Sequence, residues 1–116
     1  MIMNAMQHRV LVIDDELGPR ESLRILLKNE YEVITADSVA RGLQYLRERQ
    51  PDAIVMDIRM PGTSGIEGLR EIRQIDPNVS VIMLTGYGAL ETAQEAIRLG
   101  ANDYMKKPFD TQEMLS

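Results

Sequence analysis

The sequence predicts an α/β fold, a doubly wound parallel sheet of five strands with helices on both faces. Short apolar runs rich in β-branched residues, typical of buried strands, alternate along the chain with segments whose apolar residues recur at helical spacing. Strict alternation of strands and helices favours a parallel sheet with right-handed crossovers. The 116 residues suffice for one domain with a single core, so we expect no second domain.

Five segments have the pattern of strands. Three are buried apolar runs, one has the pattern of a half-buried strand, and the last is short. In chain order they are Arg9–Ile13, Tyr31–Thr35, Ala53–Met56, Val79–Leu84 and Asp103–Met105.

Four segments between these strands have the pattern of helices, and each carries a start or stop signal. Pro19 fits the first turn of the first helix, and Asp37 or Ser38 can cap the second. Ser64–Glu67 is a capping box for the third helix, and Gly100 can end the fourth. The apolar stripes are Leu23, Leu26 and Leu27; Val39, Leu43 and Leu46; Ile66, Leu69, Ile72 and Ile75; and Leu90, Ala93 and Ile97.

The two ends of the chain differ from this regular pattern. Asp110–Glu113 signals the start of a fifth helix, but the sequence ends at Ser116. We therefore expect a truncated fifth helix and a fragment of a longer protein. Residues 1–7 have no clear period and are expected to form a flexible leader, with a single domain over residues 8–116.

Composition excludes several classes of function. The net charge of −5 argues against direct binding to nucleic acid or to an anionic membrane, both of which attract basic surfaces. The chain has no cysteine, which excludes disulfides and thiol catalysis and fits the reducing cytoplasm. His8 is the only histidine, so a Ser-His-Asp triad is improbable. No apolar run approaches the roughly 18 residues of a membrane span.

Polar side chains follow the predicted strands at the points where the strands end. The carboxyl ends of parallel strands meet at one edge of a sheet, where ligands bind. We therefore expect a group of acids, one hydroxyl and a lysine to converge there. These residues are Asp14, Asp15 and Glu16 after the first strand, Asp57 after the third, Thr85 after the fourth, and Lys106 and Lys107 after the fifth.

Such a group of carboxylates must share protons or hold a cation, because like charges repel. Oxygen ligands without His or Cys select Mg²⁺ first, and Mg²⁺ accepts a phosphoryl oxygen as a further ligand. A carboxylate can then act as a nucleophile and form an aspartyl phosphate, while a lysine neutralises charge and Thr85 hydrogen-bonds a phosphoryl oxygen. Each residue alone has a structural explanation, as a strand former, a solvated tip or a helix cap. The occurrence of all of them at one edge favours a functional explanation.

One phosphate-binding motif is only superficially present. Gly86–Glu91 follows a strand and opens a helix, as a dinucleotide fingerprint does. It has no third glycine, and Glu91 would bring negative charge to the helix start that a pyrophosphate needs. We therefore do not predict a dinucleotide site.

Four segments together resemble the receiver domain of bacterial two-component response regulators. They occur in order, with family-like spacing, and the resemblance covers about residues 8 to 116. The segments are Val10–Glu16, Ile54–Gly62 with Gly65, Val81–Gly86, and Gly100–Phe109. The resemblance implies a flavodoxin-like sheet of order 2-1-3-4-5.

The resemblance also implies roles at the predicted edge. Asp57 would be the phosphoacceptor, with Asp15 and Asp57 touching Mg²⁺ directly and Asp14 acting largely through water. The backbone carbonyl of Arg59 would complete the metal ligands. The family's lysine directly precedes proline, which selects Lys107 over its neighbour.

Further assignments follow from the resemblance. Thr85 and Tyr104 match the switch pair: phosphate draws the hydroxyl inward and the aromatic ring fills the vacated space. Arg59 and Tyr87 occupy positions that tune the lifetime of the phosphate. A cis bond is expected into Pro108, which an X–Pro linkage permits at modest cost.

The resemblance names partners as well. The phosphoryl donor would be a sensor histidine kinase, and the parent protein would carry an output domain that regulates transcription. Family members dimerise through the fourth helix, fifth strand and fifth helix, so a homodimer through the first two remains open for this chain.

Two rival functions stay open on the sequence alone. A small magnesium-dependent phosphatase of the haloacid-dehalogenase-like type also uses Asp, Thr and Lys, but it has Asp-x-Asp after the first strand, where this chain has Asp14-Asp15-Glu16. A phosphorylation-independent interaction module would keep the fold and lack the reaction.

Overall fold

The computed structural model describes residues 8–57, 65–85 and 100–106. Strands and helices alternate as the sequence pattern predicts from residue 9 to residue 85. The elements are β1 (Arg9–Ile13), α1 (Leu17–Leu27), β2 (Glu32–Ala36), α2 (Val39–Arg49), β3 (Ala53–Asp57), α3 (Gly65–Ile75), β4 (Ser80–Thr85) and β5 (Asp103–Lys106).

All five strands pair in parallel in one sheet of order β2-β1-β3-β4-β5. This confirms both the predicted fold class and the flavodoxin-like order. Because β1 and β3 are neighbours at the centre, with Ile13 opposite Met56, the residues that follow them also lie side by side. The order in which strands are added to the sheet reverses between β1 and β3. In parallel sheets of this kind, ligands bind at the carboxyl ends of the strands at such a point.

Two apolar layers cover the sheet, one on each face. Alternate residues of β1 point to opposite faces, so Leu11 and Ile13 pack with α2 and α3 while Val12 packs with α1. The central strands are therefore enclosed on both sides, which explains why they read as continuous apolar runs. Among the described residues, no helix combines the length and apolar character that crossing a bilayer requires.

Element boundaries differ from the predicted ones by about one residue. Strand β2 is shifted one residue towards the C-terminus, and β3 extends to include Asp57. Ser38 rather than Asp37 caps α2, and its side chain accepts a hydrogen bond from Arg41 N at 3.2 Å. The leader over residues 1–7, the fourth and fifth helices before and after β5, and Ser64 of the capping box lie outside the described residues.

Helix α2 lies close against β1 at Gly42. A Cβ built on Gly42 would collide with the Cδ1 atom of Ile13 and lie 2.8 Å from its Cγ1 atom, closer than real Cβ contacts allow. Ile13 is fully buried, so it has little room to move. The absence of a side chain at Gly42 sets the distance between α2 and β1.

Arg73, on α3, ties together three segments at the amino edge of the sheet. Its guanidinium donates to the carbonyl oxygens of Val79 at 2.6 Å and Gly100 at 2.6 Å and 3.0 Å, and to the Asn102 side chain at 3.1 Å. Gly100 has φ +110°, a left-handed conformation that favours glycine. The contacts join the end of α3 to the start of β4 and to the turn before β5.

Gly42→Ala should lower the free energy of unfolding by about 1–3 kcal/mol, because the new methyl group overpacks the core. Ile13→Val removes the Cδ1 atom, so the double variant should lose less stability than the two single losses added together. Urea unfolding of the four chains measures this coupling. Additive losses would contradict the contact.

Arg73→Ala should lower the free energy of unfolding by about 1–3 kcal/mol, because it leaves several carbonyl oxygens without their donor. The matched control is Arg70→Ala, an exposed arginine of the same helix, which should change stability by less than about 0.5 kcal/mol. Equal effects of the two substitutions in urea unfolding would show that Arg73 is not a structural tie.

Candidate metal centre

Four carboxylates meet at the carboxyl edge of β1 and β3. One oxygen from each of Asp14, Asp15, Glu16 and Asp57 can be chosen so that all lie within 4.8 Å of one another. Asp14 is fully buried and Asp57 is 6% exposed, whereas Asp15 and Glu16 reach solvent. The group therefore combines two buried carboxylates with two that reach solvent.

The adjacency of the two central strands creates this group. Asp14 follows Ile13 and Asp57 follows Met56, and those two residues are opposite each other in the sheet. Asp15 and Glu16 form the turn that leads from β1 into α1. Residues distant in sequence are thus brought together by strand order alone.

Asp14 is held at three points. Its backbone N–H donates to the carbonyl oxygen of Ala36 at 3.1 Å, which continues the pairing of β1 with β2. Its Oδ1 accepts a hydrogen bond from Glu16 N at 3.0 Å, and its carbonyl oxygen accepts one from Arg20 Nη1 at 2.8 Å. The turn after β1 is therefore fixed by the neighbouring strand, by its own backbone and by α1.

The negative charges of these four carboxylates favour a bound cation. Two unit charges 4.8 Å apart repel by about 3 kcal/mol at an effective dielectric constant of about 20, a large part of the stability of an ordinary domain. A cation or a shared proton relieves that repulsion. The donors are carboxylate oxygens, without nitrogen or sulfur, and this set suits a hard divalent ion such as Mg²⁺.

The other residues assigned from sequence are described only in part. Thr85 pairs with Lys106 in the register of β4 and β5, which places both backbones at the same edge as the acids. Tyr104 lies two residues before Lys106 on β5, opposite Met83. Arg59, Tyr87, Lys107 and Pro108 lie outside the described residues.

Two residues near the site were not assigned by sequence reasoning. Glu16 was placed at this edge but not among the metal ligands, although its carboxylate belongs to the group. It occupies the N-cap position of α1 without capping the helix, where Ser, Thr, Asp or Asn is usual, and this mismatch was a usable signal. Arg20 was not singled out: a cation in the first turn of a helix is unusual, but nothing in the sequence shows that its partner is the backbone carbonyl of Asp14.

One exposed ion pair lies on α1 beyond the site. Arg24 donates to Glu21 at 2.7 Å, and this hydrogen bond lowers the pKa of the Glu21 carboxyl and raises that of Arg24. Arg24 is thus paired with Glu21 on the same helix.

Comparison with known proteins gives a consistent result. A family model described as the response regulator receiver domain matches residues 10–116. The chain is 38% identical over 112 residues to the chemotaxis protein CheY of Bacillus subtilis, covering 95% of this chain and 93% of that protein. It is 39% identical over 108 residues to the regulatory protein AtoC of Escherichia coli, covering 92% of this chain but 23% of that protein.

Solved structures show the same fold. A response regulator receiver domain protein from Clostridium thermocellum superposes with a TM-score of 0.89 at 39% identity, covering 92% of this chain and 87% of that one. NtrX from Brucella abortus, in complex with ADP, superposes with a TM-score of 0.90 at 34% identity, covering 95% of this chain and 26% of that one. The family match and these relatives, which align over nearly the whole chain, show that it belongs to the response regulator receiver domains of two-component signalling.

Proposed function

We propose that this receiver domain is a phosphorylation switch whose phosphoacceptor is Asp57. A sensor histidine kinase supplies the phosphoryl group, and the reaction depends on Mg²⁺. The observation that carries the proposal is the position of Asp57, a nearly buried carboxylate at the end of a central strand within 4.8 Å of Asp14 and Asp15. A buried acid among other acids is costly, and a reaction that needs this arrangement explains its presence.

Asp57 acts as the nucleophile in this proposal. Its carboxylate oxygen forms a bond to phosphorus while the bond from phosphorus to the donor's histidine nitrogen breaks and leaves its electron pair on that nitrogen. Asp14, Asp15 and Asp57, with the backbone carbonyl of Arg59, would hold Mg²⁺. When bound, Mg²⁺ supplies positive charge that offsets the charge of the phosphoryl oxygens.

The remaining roles rest on the motif positions in the sequence. Lys107, which follows β5 in the chain, neutralises the phosphoryl group, and Tyr104 of β5 is the switch residue. Thr85 hydrogen-bonds the phosphate, and Tyr104 fills the space that its movement leaves. Arg59 and Tyr87 tune phosphate lifetime, and Pro108 follows Lys107 through a cis bond.

Receiver domains are generally signalling modules rather than enzymes with a separate substrate. This chain would catalyse only its own phosphorylation and dephosphorylation. That distinguishes it from a phosphatase with an aspartyl-phosphate intermediate, which turns over continuously, and from a passive module, which is not labelled.

The proposed partners are a sensor histidine kinase and a covalently linked output domain. The receiver domain would act in the cytoplasm and would not contact nucleic acid or membrane directly. Helix α1 is a suitable kinase surface, because it follows the acidic turn directly and its Leu17 and Ile25 are 65% and 53% exposed. The similarity to AtoC and NtrX supports a transcriptional output. A homodimer through the fourth helix and β5 is a further proposal.

Incubation with acetyl phosphate should add one phosphoryl group to the chain in Mg²⁺ and none in EDTA. The measurement is intact mass, and the control is Asp57→Asn, which preserves the shape of the side chain and should remain unlabelled. Labelling of the Asn variant would place the acceptor elsewhere. Continuous release of phosphate from several esters would favour the phosphatase, and an unlabelled folded chain would favour the passive module.

Thr85→Val and Thr85→Ser separate labelling from switching. Valine keeps the shape but removes the hydroxyl, whereas serine keeps the hydroxyl. Both variants should be labelled at Asp57, but only the wild type and the serine variant should show phosphate-dependent changes in the amide chemical shifts of β4 and β5. A valine variant that responds like the wild type would exclude the proposed switch.

A further inference from the structure

We infer that Arg20 is a positioning residue for the acidic pair: its guanidinium fixes the peptide group between Asp14 and Asp15 and so sets how their carboxylates face a metal ion. The inference deepens the proposed function and rests on it. Nothing in the motif that defines the acidic pair points to Arg20, which lies on the following helix.

The contact itself is specific. Arg20 Nη1 lies 2.8 Å from the carbonyl oxygen of Asp14, in a partly buried setting. That oxygen belongs to the planar peptide group that links Asp14 to Asp15. Turning this plane changes the backbone angles on both sides of it, and the two carboxylates then turn relative to each other. A donor on the carbonyl oxygen prevents that motion.

The neighbouring contacts leave this peptide group as the adjustable element. Before it, the Asp14 N–H is bonded to Ala36 in the sheet at 3.1 Å. After it, the Glu16 N–H is bonded to Asp14 Oδ1 at 3.0 Å. Arg20 acts between these two points, on the carbonyl oxygen of Asp14.

Arg20 lies at a position of the helix where a positive charge is unfavourable. It lies in the first turn of α1, where the helix dipole favours acidic residues and disfavours cations. An arginine side chain in a helix points back towards the N-terminus, which directs its guanidinium to the turn after β1. A residue that breaks a local preference and contacts a functional turn is the pattern expected of a residue kept for function.

Two effects of Arg20 on Mg²⁺ binding have opposite signs. Its permanent positive charge repels the cation, so a purely electrostatic role predicts tighter Mg²⁺ binding when the charge is removed. Its hold on the peptide group orients the ligands, so the positioning role predicts weaker binding. The sign of the change in affinity therefore identifies the role.

The experiment compares Arg20→Ala with Arg24→Ala in the full chain. Isothermal titration calorimetry with MgCl₂ and no phosphodonor measures the dissociation constant directly. Arg20→Ala should weaken Mg²⁺ binding on the order of 10-fold, the usual effect of losing a residue that orients metal ligands. Arg24→Ala removes the same charge from the same helix but loses only the contact with Glu21, and it should change the constant by less than about 2-fold because an exposed charge is screened.

A second measurement separates orientation from a general loss of structure. The rate of Asp57 labelling by acetyl phosphate should need more Mg²⁺ in Arg20→Ala, yet reach nearly the wild-type rate at saturation, because the bound ion then holds the carboxylates. Arg20→Lys should recover part of the affinity, since its ammonium can donate to the same oxygen. Unchanged or tighter Mg²⁺ binding in Arg20→Ala would overturn the inference, as would a rate that saturating Mg²⁺ does not restore.

Failure of the inference is distinguishable from failure of the proposed function. If wild type binds Mg²⁺ and is labelled at Asp57 while Arg20→Ala behaves like wild type, only the role of Arg20 is wrong. If wild type itself neither binds Mg²⁺ nor is labelled, the proposed function is wrong and the inference falls with it.

Discussion

The pairing of β1 with β3 is the interaction on which the rest of the structure depends. Four residue pairs, from Val10 opposite Ala53 to Ile13 opposite Met56, set two strands side by side that are separated by two helices and a strand in the chain. The register matters as much as the adjacency. A slip by one residue would turn every side chain of the slipped strand to the other face and move Asp57 away from Asp14.

The same pairing places buried carboxylates directly after buried apolar residues. Leu11, Val12 and Ile13 are fully buried, and the next residue, Asp14, is a carboxylate buried to the same extent. The apolar layers on both faces hold these strands in place despite the repulsion at their ends, because burial of each large apolar side chain contributes about 1.5–3 kcal/mol. The core thus stabilises an edge that would not be stable alone.

The sequence pattern was sufficient to predict a parallel sheet and the convergence of Asp14, Asp15 and Asp57, because apolar runs mark buried strands and parallel strands end at one edge. The strand order was implied by the resemblance to receiver domains. The sequence pattern was less informative about element ends, such as the shift of β2, since hydrophobic patterns define the middle of an element better than its limits. It could not reveal Arg20 or Arg73. Both bind backbone carbonyl oxygens of other segments, and such contacts leave no trace in residue periodicity or spacing.

The close approach of Gly42 to Ile13 has a consequence for how this sequence can diverge. The nearest atoms to a side chain at position 42 belong to Ile13, the residue that immediately precedes Asp14. Substitution of Gly42 would therefore displace Ile13, and through Ile13 it would disturb the position of Asp14. Homologous chains with a larger residue at position 42 are expected to carry a smaller one in place of Ile13, so that the two positions change as a pair.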